Sequence, residues 1–337
     1  MKALNITDIR QIRLVEKKKP IPEKGEVLLK IRYVGFCGSD LNTFLGKNPM
    51  VKLPVVPGHE ISAVVEEVTE GVPESIRKGM CCTVNPYTSC QHCPSCRNGR
   101  PNACQFNQTL GVQRDGAMSE YIVVPWQKVI ADEAISAMNF TLVEPMSVGF
   151  HAVSRAMVTD VDVVMIIGCG MIGIGAVVRA VVRGARVIVA DVDGKKLQLA
   201  KELGALHTIN TTTEDVHARL MEITQGMGPD VVIEAVGTAT TYRMAINEAA
   251  FTGRVVCIGY AKSEVSFETK YFVSKELDIR GSRNALPEDF RAVMEHVKRN
   301  GIPDTLISAV YPPEKAQEAM EYWSENTGIV FRIFIEF

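Results

Sequence analysis

Between an apolar run, Val163–Ile167, and a helical stretch, Met171–Val182, the chain reads Gly168-Cys169-Gly170-Met171-Ile172-Gly173. This is G-x-G-x-x-G after a strand and at the opening of a helix, the context that gives the pattern meaning. Each glycine answers a backbone demand. Gly168 permits the tight turn, Gly170 lets a pyrophosphate approach the main chain, and Gly173 lets helix and strand pack. The helix then opens with unpaired N–H groups, those of Met171 and Ile172 among them, available to phosphate. Strands and helices continue to alternate. Strands are predicted at 186–190, 207–210, 230–234, 254–258 and 277–280, with helices at 216–224 and 240–250. Asp193 is a suitable N-cap for a further helix carrying Leu197, Ala200 and Leu203 on one side. Such alternation specifies a doubly wound parallel sheet covered on both faces.

Asp191 ends the strand after the turn, 18 residues beyond Gly173. A carboxylate there accepts from the hydroxyls of an adenosine ribose and repels a 2′-phosphate, which favours NAD over NADP. The alternative is a solvated charge at a strand end. Lys195 and Lys196 weigh the other way, since a cation can neutralise a phosphate; Lys196 is counted with the cofactor site.

Residues 1 to about 145 read differently. Short strands at 27–33, 61–68, 80–84 and 121–124 lie between turns rich in Pro and Gly, a pattern of barrels and sandwiches. The tail carries helices near 287–298 and 313–323. A last apolar strand, 329–337, is expected to return to the N-terminal domain.

Four cysteines, Cys90, Cys93, Cys96 and Cys104, are separated by two, two and seven residues. Four thiolates from one loop close a tetrahedron around a metal; zinc in such a site has no open position and serves structure. Iron takes the same donors, and disulfides are the non-metal alternative. Cys37, His59 and Glu60 form a second candidate, able to hold zinc with one position open. Glu144, before Pro145, is another candidate carboxylate or else a cap. Cys81, Cys82, Cys169 and Cys257 have small apolar neighbours and read as packed thiols.

A net charge of −2 with mixed signs gives no basic stripe for nucleic acid or membrane. The longest uncharged apolar run, 163–178, is shorter than the ~20 residues a membrane helix needs and is broken by glycine. No cleavable signal is evident, and nine cysteines in such a chain suit reduced thiols in a cytoplasm.

Taken together, residues 35–40, Gly58-His59-Glu60, the cysteine loop, Asp115 to Tyr121, Glu144-Pro145, the glycine turn and Asp191 resemble the zinc-dependent medium-chain alcohol dehydrogenases, in their polyol and sugar-acid branch. The resemblance implies a GroES-like β-barrel catalytic domain, residues 1–149 and 281–337, and a Rossmann NAD-binding domain, 150–280, with nicotinamide and zinc meeting in a cleft. It implies a catalytic zinc on Cys37, His59 and either Glu60 or Glu144, and a structural zinc on Cys90, Cys93, Cys96 and Cys104. It implies oxidation of a secondary alcohol to a ketone, with hydride passing to the nicotinamide and zinc acting as Lewis acid. Ser39 would pass the proton outward, or else cap a helix. Many relatives continue that relay with His five residues after the zinc cysteine. Here the residue is Asn42, which takes up no proton, so water, the ribose or a group such as His151 must serve.

The segment Gly281 to Ala285 resembles that of hexonate dehydrogenases, acting on acids such as L-gulonate or L-galactonate. Arg283 or Arg114 would pair with the acid, unless each is a surface arginine. Sorbitol-type polyols, hexitol phosphates, 2,3-butanediol and threonine are the other substrates of such chains. A homodimer or homotetramer is the family expectation. The competing readings are a non-catalytic dinucleotide-binding relative and a zinc-free alkene reductase. Both predict lost metal ligands, and the candidates are all present.

Overall fold

A computed structural model describes residues 1–337, in two units: Met1–Glu144 with Leu286–Phe337, and Pro145–Ala285. These bounds lie a few residues outside the expected 150–280.

The second unit is a six-stranded, wholly parallel sheet. Its strands run in the order His207–Asn210, Arg186–Asp191, Val163–Ile167, Val231–Glu234, Arg254–Cys257 and Asp278–Gly281. All five residues of Val163–Ile167 are buried, as a central parallel strand with helices on both faces requires. Met165, Ile167, Ile188, Val232 and Val255 share one core with Leu220 and Ala245 of the covering helices. Burying each larger side chain contributes about 1.5–3 kcal/mol. The strands following Val163–Ile167 in sequence go first to one side of it and then to the other. The glycine turn at its carboxyl end therefore sits at the switch point, where open α/β sheets bind ligands. Helix Met171–Val182 follows, and Asp193 caps helix Gly194–Glu202 by accepting from the N–H groups of Lys195 and Lys196.

The first unit is built on the ten-residue strand Glu26–Gly35. One edge pairs antiparallel with Glu60–Val68. The other edge is shared, residues 26–30 pairing with 121–125 and residues 33–35 with 334–336 of the C-terminal strand. Two register shifts, at Leu28/Leu29 and Ile31/Tyr33, bend the pair. The same register sets Gly35 opposite Glu60.

Several elements differ from expectation. The hairpin Lys2–Asp8 with Gln11–Glu16 and the strands Val129–Ala131 and Ala309–Tyr311 were not anticipated. The final strand is confined to Ile333–Glu336. Glu144-Pro145 lies within the first turn of helix Val143–Ala156. Proline is tolerated there because its missing N–H would be unsatisfied anyway. No helix is long and apolar enough to cross a membrane.

Candidate metal centre and nucleotide turn

Strand Glu26–Gly35 delivers the chain to Cys37, which caps helix Gly38–Phe44. Ser39 is thus inside the helix and is not its cap. Its Oγ is buried and has no hydrogen-bond partner. Asp40, buried in the same first turn, accepts from the Cys37 N–H at 2.8 Å and from the Gly58 N–H at 3.4 Å. One carboxylate thereby ties the Cys37 loop to the loop carrying His59.

Cys37 Sγ, a ring nitrogen of His59 and a carboxylate oxygen of Glu60 all lie within 4.8 Å of one another. Room for Glu60 is made by Gly35, where a Cβ would stand 2.4 Å from Glu60 Oε2. Arg332 Nε approaches the same oxygen at 3.0 Å, both side chains being almost wholly buried. The contact is an ion pair without hydrogen-bond alignment, since both carboxylate oxygens of Glu60 lack an aligned donor; His59 Nδ1 also has no hydrogen-bond partner. Unpartnered buried acceptors are costly in a finished core. A thiol, an imidazole and a carboxylate with unused lone pairs form a donor set that fits zinc.

Electrostatics say the same. Burial pushes the Glu60 carboxyl up to about 7, with Glu144 adding to the shift against the pull of Arg332. Burial draws His59 down, but Cys37, Asp40 and Glu144 outweigh it and hold the imidazole well above its usual range. A site crowded with negative charge is one that a cation relieves. Glu144 is buried nearby, and its Oε1 accepts a short hydrogen bond from the Tyr87 hydroxyl. Tyr87 is buried, packs edge-on against Phe290 at 6.4 Å, and carries no motif that sequence reading could use. Arg332 was likewise missed; it reaches the site from the far end of the chain.

The other cluster is equally compact. The sulfurs of Cys90, Cys93, Cys96 and Cys104 lie within 4.8 Å of one another. Backbone N–H groups already point at them: Cys90 N and Phe106 N donate to Cys104 Sγ, and Cys93 N to Cys90 Sγ, each at 3.3 Å. Hydrogen bonds, that from Ser95 foremost, hold the Cys93 thiol down at about 5. Thiolates stabilised in this way suit a closed structural metal site. Cys169 and Cys257 are pushed by burial up to about 12 and about 11, and Cys82 further still, as inert packed thiols should be.

At the nucleotide turn, Gly168 adopts φ +92°, and a Cβ on Gly173 would lie 1.9 Å from the Gly168 carbonyl oxygen. Gly170 contrasts with both, since a Cβ there meets nothing within 4 Å. That open space over the helix N-terminus fits a pyrophosphate. Asp191 accepts from the Cys169 N–H at 2.5 Å and the Asp193 N–H at 2.9 Å, which brings its carboxylate against the turn. Lys196 is half-buried on the following helix. His151 is buried in helix Val143–Ala156, Arg283 is exposed, and Arg114 is half-buried in the first unit.

Residues 23–134 match the alcohol dehydrogenase GroES-like domain, and residues 172–299 match the zinc-binding dehydrogenase domain. The chain is 33% identical to the L-galactonate-5-dehydrogenase of Escherichia coli strain K12 over 325 residues, 95% of each chain. The crystal structure of the rspB alcohol dehydrogenase of E. coli CFT073, complexed with NADH, superposes with a TM-score of 0.92 at 30% identity, covering 100% of this chain and 99% of that one. Galactitol-1-phosphate dehydrogenase from E. coli gives a TM-score of 0.92 at 26% identity, covering both chains completely at 100%. The chain belongs to the zinc-type medium-chain alcohol dehydrogenase family, with a GroES-like and a Rossmann domain. It is an NAD-dependent dehydrogenase that uses zinc and acts on a small-molecule alcohol.

Proposed function

We propose that the enzyme oxidises a secondary alcohol of a polyol or sugar acid to a ketone, with a hexonate such as L-gulonate or L-galactonate as substrate and NAD as hydride acceptor. The observation that carries the chemistry is the convergence of Cys37, His59 and Glu60 on one point, with buried acceptors left unpartnered. Zinc would be held there by Cys37 and His59 with Glu60 or Glu144, and structurally by Cys90, Cys93, Cys96 and Cys104. Bound zinc supplies Lewis acidity that brings an alcohol's proton within reach at neutral pH. Ser39 Oγ, free of other partners, takes that proton and passes it outward; Asn42 accepts none, so it leaves by water, the ribose or His151. Asp40 fixes the Cys37 and His59 loops, and Tyr87 fixes Glu144. NAD would lie on Gly168, Gly170, Met171, Ile172 and Gly173, with its ribose on Asp191 and Lys196 beside it. Arg114 or Arg283 would meet the acid group.

The hexonate reading is supported by the likeness to L-galactonate-5-dehydrogenase. A hexitol phosphate is the second reading, supported by the likeness to galactitol-1-phosphate dehydrogenase. We propose further that the enzyme works as a homodimer or homotetramer in the cytoplasm, where its nine unpaired cysteines stay reduced. A panel of polyols, hexonates, hexitol phosphates and threonine, assayed with NAD, tests the substrate. The highest kcat/KM is expected on a hexonate, and preference for threonine or a neutral polyol would overturn the reading.

A further inference from the structure

Arg114 and Lys128 lie close together, both half-buried, and neither has an acidic partner. Arg114 makes one long contact, Nη2 to the Pro86 carbonyl at 3.5 Å, and its Nε is buried with no partner at all. A guanidinium carries five donors, so this one is almost unused. Its sequence neighbour Asp115 is committed elsewhere, to Lys17 at 2.7 Å and to the Val56 N–H at 3.0 Å. Lys128 donates only to the Tyr87 carbonyl, at 2.6 Å. By contrast, the buried Arg332 is matched by Glu60 and the half-buried Arg254 by Asp162. Burial lowers the pKa of Arg114, and burial together with Arg114 lowers that of Lys128. Two cations that repel one another while losing water are destabilising unless an anion joins them.

Their position gives the anion an identity. Arg114 and Lys128 reach successive carbonyls, those of Pro86 and Tyr87, and the hydroxyl of the same Tyr87 donates to Glu144. One tyrosine therefore touches Lys128 through its carbonyl and a candidate zinc carboxylate through its side chain, with Arg114 on the carbonyl just before it. The length of that residue is comparable to a sugar chain. We propose that Arg114 and Lys128 form the anion subsite of the enzyme, taking the acidic end of the substrate, carboxylate or phosphoryl, while its hydroxyl lies at the Cys37–His59–Glu60 group. The assignment rests on the dehydrogenase reading above. It adds Lys128, and it assigns the acid to the Arg114 side, not to Arg283.

The test uses the zinc-loaded enzyme with NAD and three substrates on one carbon skeleton: L-galactonate, galactitol 1-phosphate and neutral galactitol. Wild type is expected to prefer one of the two anions, and which one identifies the group. Arg114→Gln and Lys128→Gln are each expected to reduce the anion-to-galactitol ratio of kcat/KM by about 10- to 100-fold, chiefly through KM, as loss of a charge-assisted hydrogen bond does. Galactitol turned over as well as both anions, or a ratio unmoved by both variants, would overturn the subsite. If none of the three is oxidised, the substrate reading fails, and the subsite is decided by thermal unfolding with glutarate and inorganic phosphate. One of these anions should raise the Tm of wild type and not that of either variant; no rise in wild type refutes the subsite. Without anion, Arg114→Gln should unfold no earlier than wild type, because it removes a repulsion. A Tm lower by several degrees would make Arg114 a structural residue and end the proposal.

Discussion

Gly170 and Gly173 sit in one turn, and the structure assigns them opposite costs. In Gly173→Ala the new Cβ lies 1.9 Å from the Gly168 carbonyl oxygen and 2.9 Å from its carbon. Both are backbone atoms, so no rotamer change relieves the clash. Helix Met171–Val182 must move off the turn, and overpacking of this kind costs up to about 3 kcal/mol. For a unit of this size that corresponds to a fall in Tm of roughly 6–12 °C. In Gly170→Ala the backbone is already extended, φ −72° and ψ −173°, and the Cβ enters open space. The apo protein should gain about 0.4–1 kcal/mol from the stiffer unfolded chain. The same methyl occupies the space assigned to the pyrophosphate, so NAD should bind ~10-fold or more weakly, a loss of about 1.4 kcal/mol. Thermal unfolding without NAD and fluorescence titration with NAD separate the two effects. Gly173→Ala unfolding with wild-type Tm would refute the packing argument. Gly170→Ala binding NAD as tightly as wild type would refute the placement of the cofactor.

Two further outcomes follow from the metal sites. In the zinc-free chain, Glu60 is pushed by burial from its ordinary 4.5 up to about 7, and His59 is also raised. The folded apo protein then binds more protons than the unfolded chain over this window, so its stability falls as pH rises from about 5 to about 8. Zinc requires the deprotonated ligands, so added zinc should raise Tm increasingly over the same range; calorimetry with and without zinc that shows a flat apo profile would contradict the burial argument. Cys104→Ser should lose about one zinc per chain and make the loop of Cys90 to Cys104 sensitive to limited proteolysis while NAD still binds; unchanged metal content would remove that loop from the metal count.

The Rossmann unit was legible because its determinants are local. A continuous apolar strand, three glycines with distinct steric duties and Asp193 as a cap all lie within 31 consecutive residues, 163–193. The GroES-like unit was less so. Its opening hairpin, Lys2–Asp8 with Gln11–Glu16, turns at Arg10 with φ 59°, where no glycine or Asn-Gly signal marks the bend. Ser39 was a plausible cap by residue type, but the helix begins two residues earlier than that would require, with Cys37 as the cap. At the site, ligand-type residues stood out by chemistry, whereas their supports did not. Arg332 meets Glu60 across 272 positions of sequence, and Tyr87 meets Glu144 across 57. Such pairs depend on strand register and on chain return, which residue spacing does not encode.

The central claim is that Cys37 and His59, with a neighbouring carboxylate, seat the zinc on which turnover depends. Metal analysis of Cys37→Ser beside wild type tests it most directly. About two zinc ions per chain are expected in wild type and about one in the variant, with an unchanged circular dichroism spectrum and nearly all kcat lost. A folded Cys37→Ser protein that keeps both metals and normal kcat would contradict the account.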